Sequence, residues 1–118
     1  MQKNPGPAKV TSREQLVSIL QRELPSLRQR YGVKRVAVYG SFAHGRPGPR
    51  SDVDLLVELE RPLGLEFVTL VYALEDKLGR SVEVGTFESL AHRQRHPRYR
   101  DLAREIERTL VDVEAAPR

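Results

Sequence analysis

Apolar residues recur at helical spacing in three stretches of the chain, and alternate or run together in three others. The first helical stripe is Leu16, Ile19, Leu20, Leu24 and Leu27. Thr11 and Ser12 precede it as candidate caps, with Glu14 and Gln15 each three residues on, the spacing of a capping box. Pro25 is expected to kink or divide this helix, since its ring removes a backbone donor and collides with the preceding turn. Gly32 closes the helix, and Lys34 to Tyr39 read as a short strand buried on both faces. From about Asp52 to Leu59 the pattern alternates: Val53, Leu55, Val57 and Leu59 share one face, and Asp52, Asp54, Leu56 and Glu58 share the other. Phe67, Leu70, Val71, Leu74 and Leu78 form a second helical stripe, with Gly79 placed as its C-cap. The stretch "SVEVGTF" reads as a third strand, with Val82 and Val84 inward and Glu83 on the opposite face. A turn or short helix then runs through Arg93. Pro97 suits the first turn of a last helix whose apolar side is Tyr99, Leu102, Ala103, Ile106 and Leu110.

These elements make an α+β protein: a small mixed β-sheet of three or more strands flanked by helices. It is expected to form a single domain over residues 1–118, with 1–9 a flexible arm and 114–118 a frayed tail. Composition works mainly by exclusion. At 39% hydrophobic and 31% charged residues the chain is of ordinary globular type. No apolar run approaches the ~18 residues of a membrane span, and the N-terminus has no apolar signal core. The expectation is a cytoplasmic protein without membrane contact. Cysteine is absent, so a metal site must use oxygen or imidazole ligands, and oxygen ligands suit Mg²⁺ or Mn²⁺. The formal charge of +4 favours anionic partners.

Isolated carboxylates are costly to bury, so Asp52 and Asp54 in a strand-like segment need something to offset them. Upstream, Gly40 and Ser41 end the first strand. A helix starting at Ser41 presents free N–H groups to an anion, Gly40 lets a phosphate approach the backbone, and the Ser41 hydroxyl adds a directed hydrogen bond. Asp52 and Asp54 can hold divalent cations against that phosphate. A Gly-Ser pair alone is commonly just a turn, and Asp-x-Asp alone is commonly a strand end facing water. The combination is what carries information. An EF-hand loop is excluded by Val57 where its turn glycine should stand, and a P-loop by the lack of G-K-[ST] after the glycines.

The segment "GSFAHGRPGPRSDVD" resembles the Gly-Ser, ten residues, Asp-x-Asp signature of the nucleotidyltransferase superfamily related to DNA polymerase beta. With "GRSVEVGT" after the next helix, the chain looks like the minimal nucleotidyltransferases over about Val33 to Leu110. The resemblance implies that Gly40 and Ser41 cradle nucleotide phosphates and that Asp52 and Asp54 bind metal. It also implies a third metal-binding, catalytic carboxylate on the next strand, commonly an Asp; here the position is Glu83, whose longer side chain puts catalytic efficiency in question. The activity implied is Mg²⁺-dependent transfer of AMP from ATP to a hydroxyl on a partner protein. In the family that partner is commonly a small helical HEPN-type ribonuclease toxin, modified on a tyrosine, so the transferase acts as antitoxin in a hetero-oligomer. The rival reading is a protein of the same fold that neutralises its partner by contact with little or no catalysis.

Three features stand outside the motif. His44 occupies a loop position where relatives often carry Arg or Lys. His92 and His96 have the spacing of zinc ligands on a helix, but "RQR" between them has no catalytic Glu and exposed polar residues are the default reading. Arg93, Arg95, Arg98, Arg100, Arg104 and Arg108 make the C-terminal segment basic, either as a solvated face or as a docking surface. Direct nucleic-acid binding is disfavoured because no series of aromatic residues is interleaved as stacking platforms.

Overall fold

A computed structural model describes residues 9–115. The expected arm, apart from Lys9, and the expected tail beyond Ala115 lie outside them. Helix α1 (Arg13–Tyr31) is capped by Ser12, whose side chain accepts the Gln15 N–H, while the Gln15 side chain reaches back to the Thr11 N–H. Pro25 does not divide it. The residue sits on the exposed side of a helix that continues unbroken to Gly32, and Leu24 and Leu27, buried on either side, hold the helix to the core.

The chain continues as β1 (Val33–Tyr39), the single turn α2 (Gly40–Ala43), β2 (Val53–Leu59), α3 (Glu66–Leu78) and β3 (Val82–Thr86). Helices α4 (Phe87–Arg95) and α5 (Arg100–Thr109) follow, then a two-residue strand β4 (Val111–Asp112). The sheet order is β3-β2-β1-β4. β2 and β4 pair antiparallel to β1, and β3 pairs parallel to β2, which requires the helical crossover α3. The mixed sheet flanked by helices is the predicted fold class. β4 is an addition: it pairs Val111 and Asp112 with Val38 and Ala37, and the next residue's N–H, at Val113, donates to Val36 O. Beyond it, Glu114 pairs with Arg28 at 2.7 Å.

The two sheet faces differ. Val36, Val38, Val53, Leu55 and Val57 point into the main core with Leu16, Leu20 and Leu24 of α1 and Leu70, Leu74 and Leu78 of α3. On the other face a small cluster of Ala37, Leu56, Leu90 and Ala103 is flanked by Tyr39, Phe87, Ile106 and Leu110. The acid-bearing face of β2 is therefore not open along its length, because α4 and α5 cover Leu56. The apolar side of α5 is narrower than its sequence pattern: Ala103 is buried and Ile106 half-buried, but Leu102 and Tyr99 are exposed. No helix among the described residues is long and apolar enough to cross a membrane.

Candidate active site

Strand register brings the predicted acids together. Tyr39 pairs with Asp54 across β1 and β2, and Asp54 pairs with Glu83 across β2 and β3. Neighbours in register point to the same side of a sheet, so the three side chains stand abreast on the face covered by α4 and α5. The row crosses the sheet where β1 ends and β2 and β3 begin. Asp54 is half-buried there. Its pKa is pushed up to about 6, first by burial, then by its hydrogen bond with the Glu83 carboxyl and by the negative charges of Glu83 and Asp52. Tyr39 is pushed up to about 12 by burial and by Glu83 and Asp54, with the Arg93 guanidinium acting in the opposite sense.

Gly40 adjoins this row, and its conformation explains the first half of the motif. It has φ +73°, and a Cβ there would lie 2.2 Å from Asp54 Oδ2. Any side chain would displace the carboxylate, so the Asp54 position requires glycine here. The α2 turn that follows leaves its first N–H groups without intrahelical acceptors. Ser41, His44 and Arg46 line an open pocket of about 510 Å³ beside it. His44 thus shares the pocket with Ser41, and Arg46, two residues on, adds a guanidinium to the same pocket.

The loop joining Gly-Ser to Asp-x-Asp is fixed by one buried side chain. Arg80, 8% exposed, lies between α3 and β3 with its guanidinium 5.1 Å from the Phe42 ring. Its Nε donates to Val10 O at 2.6 Å, and its Nη1 donates to Gly48 O at 3.0 Å and Ser51 O at 2.8 Å. The Val53 N–H donates to Ser81 O. Both flanks of the motif are thereby tied to the turn that opens β3.

The expected three-carboxylate metal set is not assembled. Among the described residues no group of three or more His, Asp or Glu side chains is arranged to hold a metal ion. Asp54 and Glu83 are side by side, whereas Asp52 is exposed just ahead of β2. Hard oxygen donors, two of them crowded enough to share a hydrogen bond, nevertheless fit a cation such as Mg²⁺, which is usually held by one or two carboxylates plus substrate phosphates and water. Opposite Glu83, Arg93 of α4 helps to close a cavity of about 200 Å³ whose walls include Tyr39, Leu56, Ser89 and Ile106. A larger concavity of about 940 Å³ lies at the far end of the strands, between Leu59, Leu63, Phe67 and Phe87. There Arg35 stacks on Phe87 at 4.2 Å and is paired with Asp112, and Glu58, Glu60 and Glu88 also line the concavity.

Sequence reasoning missed Tyr39 and Arg80, and it placed Arg93 only within a basic run. The first would have needed the strand register. Arg80 carried one local signal, an arginine beside a helix-ending glycine with no acid nearby on its own turn.

A family model described as nucleotidyltransferase domain matches residues 20–109. The chain is 40% identical over 78 residues to protein adenylyltransferase MntA of Thermococcus cleftensis, covering 65% of this chain and 79% of that protein. A solved structure described as a minimal nucleotidyltransferase superposes with TM-score 0.61 at 35% identity, covering 86% of this chain and 95% of that one. A toxin-antitoxin structure with AMP-PNP aligns with TM-score 0.56 over 87% of this chain and 73% of its own, and at 15% identity it shares the fold.

Proposed function

This chain belongs to the nucleotidyltransferase domain family, and on that premise we propose that it moves AMP from ATP onto a hydroxyl of a partner protein. The observation that carries the reading is the Asp54–Glu83 pair in register beside the Gly40–Ser41 turn. The turn's N–H groups and the Ser41 hydroxyl donate to the triphosphate, and Arg46 adds charge at the same pocket. Asp54 with Asp52 or Glu83 would hold Mg²⁺, which would supply neutralisation of phosphate charge and orientation of the phosphates. The acceptor oxygen forms a bond to the α-phosphorus as the bond to the bridging oxygen breaks, and pyrophosphate leaves. Glu83 stands at the edge of the row, exposed, and receives the hydroxyl proton.

The partner proposed is a HEPN-type ribonuclease toxin modified on a tyrosine, with this chain as the cytoplasmic antitoxin. The names of the relatives support this choice: a protein adenylyltransferase at 40% identity and a fold neighbour solved as a toxin-antitoxin complex with a nucleotide analogue. The test is transfer of label from α-labelled ATP to such a toxin with Mg²⁺ and with chelator, for wild type, Asp52→Asn and Asp54→Asn. Label on the toxin that disappears with chelator and with Asp54→Asn supports transfer. Inhibition of the toxin that survives both substitutions with no label moved supports the second reading, neutralisation by contact alone. That reading draws on Glu83, a longer acid where the family commonly carries Asp.

A further inference from the structure

The α4–α5 hairpin carries an unbalanced charge that the reaction does not use. Between residues 93 and 104 stand Arg93, Arg95, Arg98, Arg100 and Arg104 against the single acid Asp101. Over the whole hairpin, residues 87–109, six arginines stand against the four acids Glu88, Asp101, Glu105 and Glu107, so the excess is concentrated in this stretch. Six ion pairs are formed among the described residues, and none of them involves these five guanidinium groups. Arg108, one turn beyond, is different: it holds Glu105 at 2.6 Å. The lone acid in the stretch is not enlisted either, so the arginines face solvent or whatever covers them.

Two large apolar groups sit among the charges. Leu102 is 60% exposed and Tyr99 is 43% exposed. Tyr99 lies between the Arg98 guanidinium, 6.0 Å from its ring, and the His96 ring, 5.2 Å away. Arginine, tyrosine and an exposed aliphatic residue together are the composition of a protein-binding surface rather than of a solvated helix. An RNA strand would call for a series of stacking rings along the ridge, and the hairpin offers one tyrosine. The ridge also runs into the candidate active site, since Arg93 and Glu83 line the same cavity.

We infer that the α4–α5 hairpin is the docking surface for an acidic segment of the partner protein, one that flanks the hydroxyl to be modified. The inference rests on the proposed transfer reaction for the identity of the partner, and on charge and continuity for the location. The arginines neutralise an acidic segment that the Asp52, Asp54 and Glu83 carboxylates would otherwise repel. They thereby set which hydroxyls can approach the row, and Leu102 contributes apolar contact at the centre.

The test uses the full chain and a fluorescent peptide of eight glutamates around one tyrosine, followed by anisotropy without ATP or metal. Arg95→Glu/Arg98→Glu/Arg104→Glu is compared with Arg22→Glu/Arg30→Glu/Arg61→Glu, which changes the net charge equally elsewhere. Thermal melting verifies that each variant is folded. The expected result is peptide binding that weakens with salt, and that falls about ten-fold or more in the hairpin variant but only about two-fold in the control. Equal losses in both variants overturn the inference, as does tighter binding of a nine-nucleotide RNA than of the peptide. Because binding is read without chemistry, peptide binding alongside a failure to move label from ATP to the toxin defeats the proposed reaction and leaves the docking surface standing.

Discussion

The two faces of this sheet are built from the same strands and do opposite work. Toward α1 and α3, β1 and β2 present buried aliphatic side chains, and the interior is apolar but for the buried Tyr31 hydroxyl and the Arg80 guanidinium against Phe42. Toward α4 and α5 the apolar cluster is small, and at its edge the alternation turns from Leu56 to Asp54 and from Ala37 to Tyr39. The first face supplies the stability that the second expends on a half-buried acid crowded by another. A strand holds both roles because adjacent side chains point to opposite sides, so one residue can be chemical while its neighbours on either side are structural.

That division can be tested residue by residue. Asp54→Asn is expected to lower AMP transfer about 10³-fold, equivalent to about 4 kcal/mol of barrier, with little loss of melting temperature. Label transfer and calorimetry on the same sample check it, and a variant that melted early would mean Asp54 is structural. On the sealed face, Leu55→Ala is expected to cost about 3 kcal/mol of stability through the cavity it leaves. Turnover per folded molecule should stay within about two-fold, read by denaturant titration alongside activity. Gly40→Ala tests the hinge between the faces. Its methyl group would meet Asp54 Oδ2 from a left-handed backbone, so about 2 kcal/mol of destabilisation and a loss of transfer should appear together.

The smallest effect is a pH dependence. Folded Asp54 keeps its proton to about pH 6, whereas its reference value is 3.8. Between those values the folded state binds more protons than the unfolded state, so stability from this group is present at low pH and is lost as pH rises through 6. In chelator at pH 8, Asp54→Asn should therefore be the more stable protein by about 1 kcal/mol after allowance for solvent screening, about 4 °C in Tm. The advantage should shrink as pH is lowered below 6. An advantage independent of pH would show that burial, not ionisation, limits the site.

What was legible in the sequence followed from local chemistry. The alternation at Val53 to Leu59 and the stripes of α1 and α3 announce themselves within a dozen residues, and the spacing from Gly40–Ser41 to Asp52 and Asp54 is contiguous. Glu83 was placed on the correct side of its strand, but only the parallel register sets it opposite Asp54. Tyr39 joined the row for the same reason, through a pairing that no single strand encodes. Arg80 escaped because its three carbonyl partners lie 29, 32 and 70 residues away in the chain. Tyr99 and Leu102 belong to the apolar side that helical spacing marks, but α5 meets only the small cluster and leaves them uncovered. Pro25 was overrated as a breaker, since side-chain burial on both sides outweighs one missing hydrogen bond.

Parallel pairing after a helical crossover means that the third carboxylate is addressed by chain length as well as by residue type. Substitution at position 83 can lengthen, shorten or neutralise the acid while leaving it opposite Asp54. Loss of one residue between Gly79 and Ser81 would instead slide β3 by one step, bringing a valine into the row and turning the acid toward the core. Divergence at this site is therefore open to exchange of side chains and closed to insertions or deletions, and the Glu83 seen here lies one mutational step from aspartate.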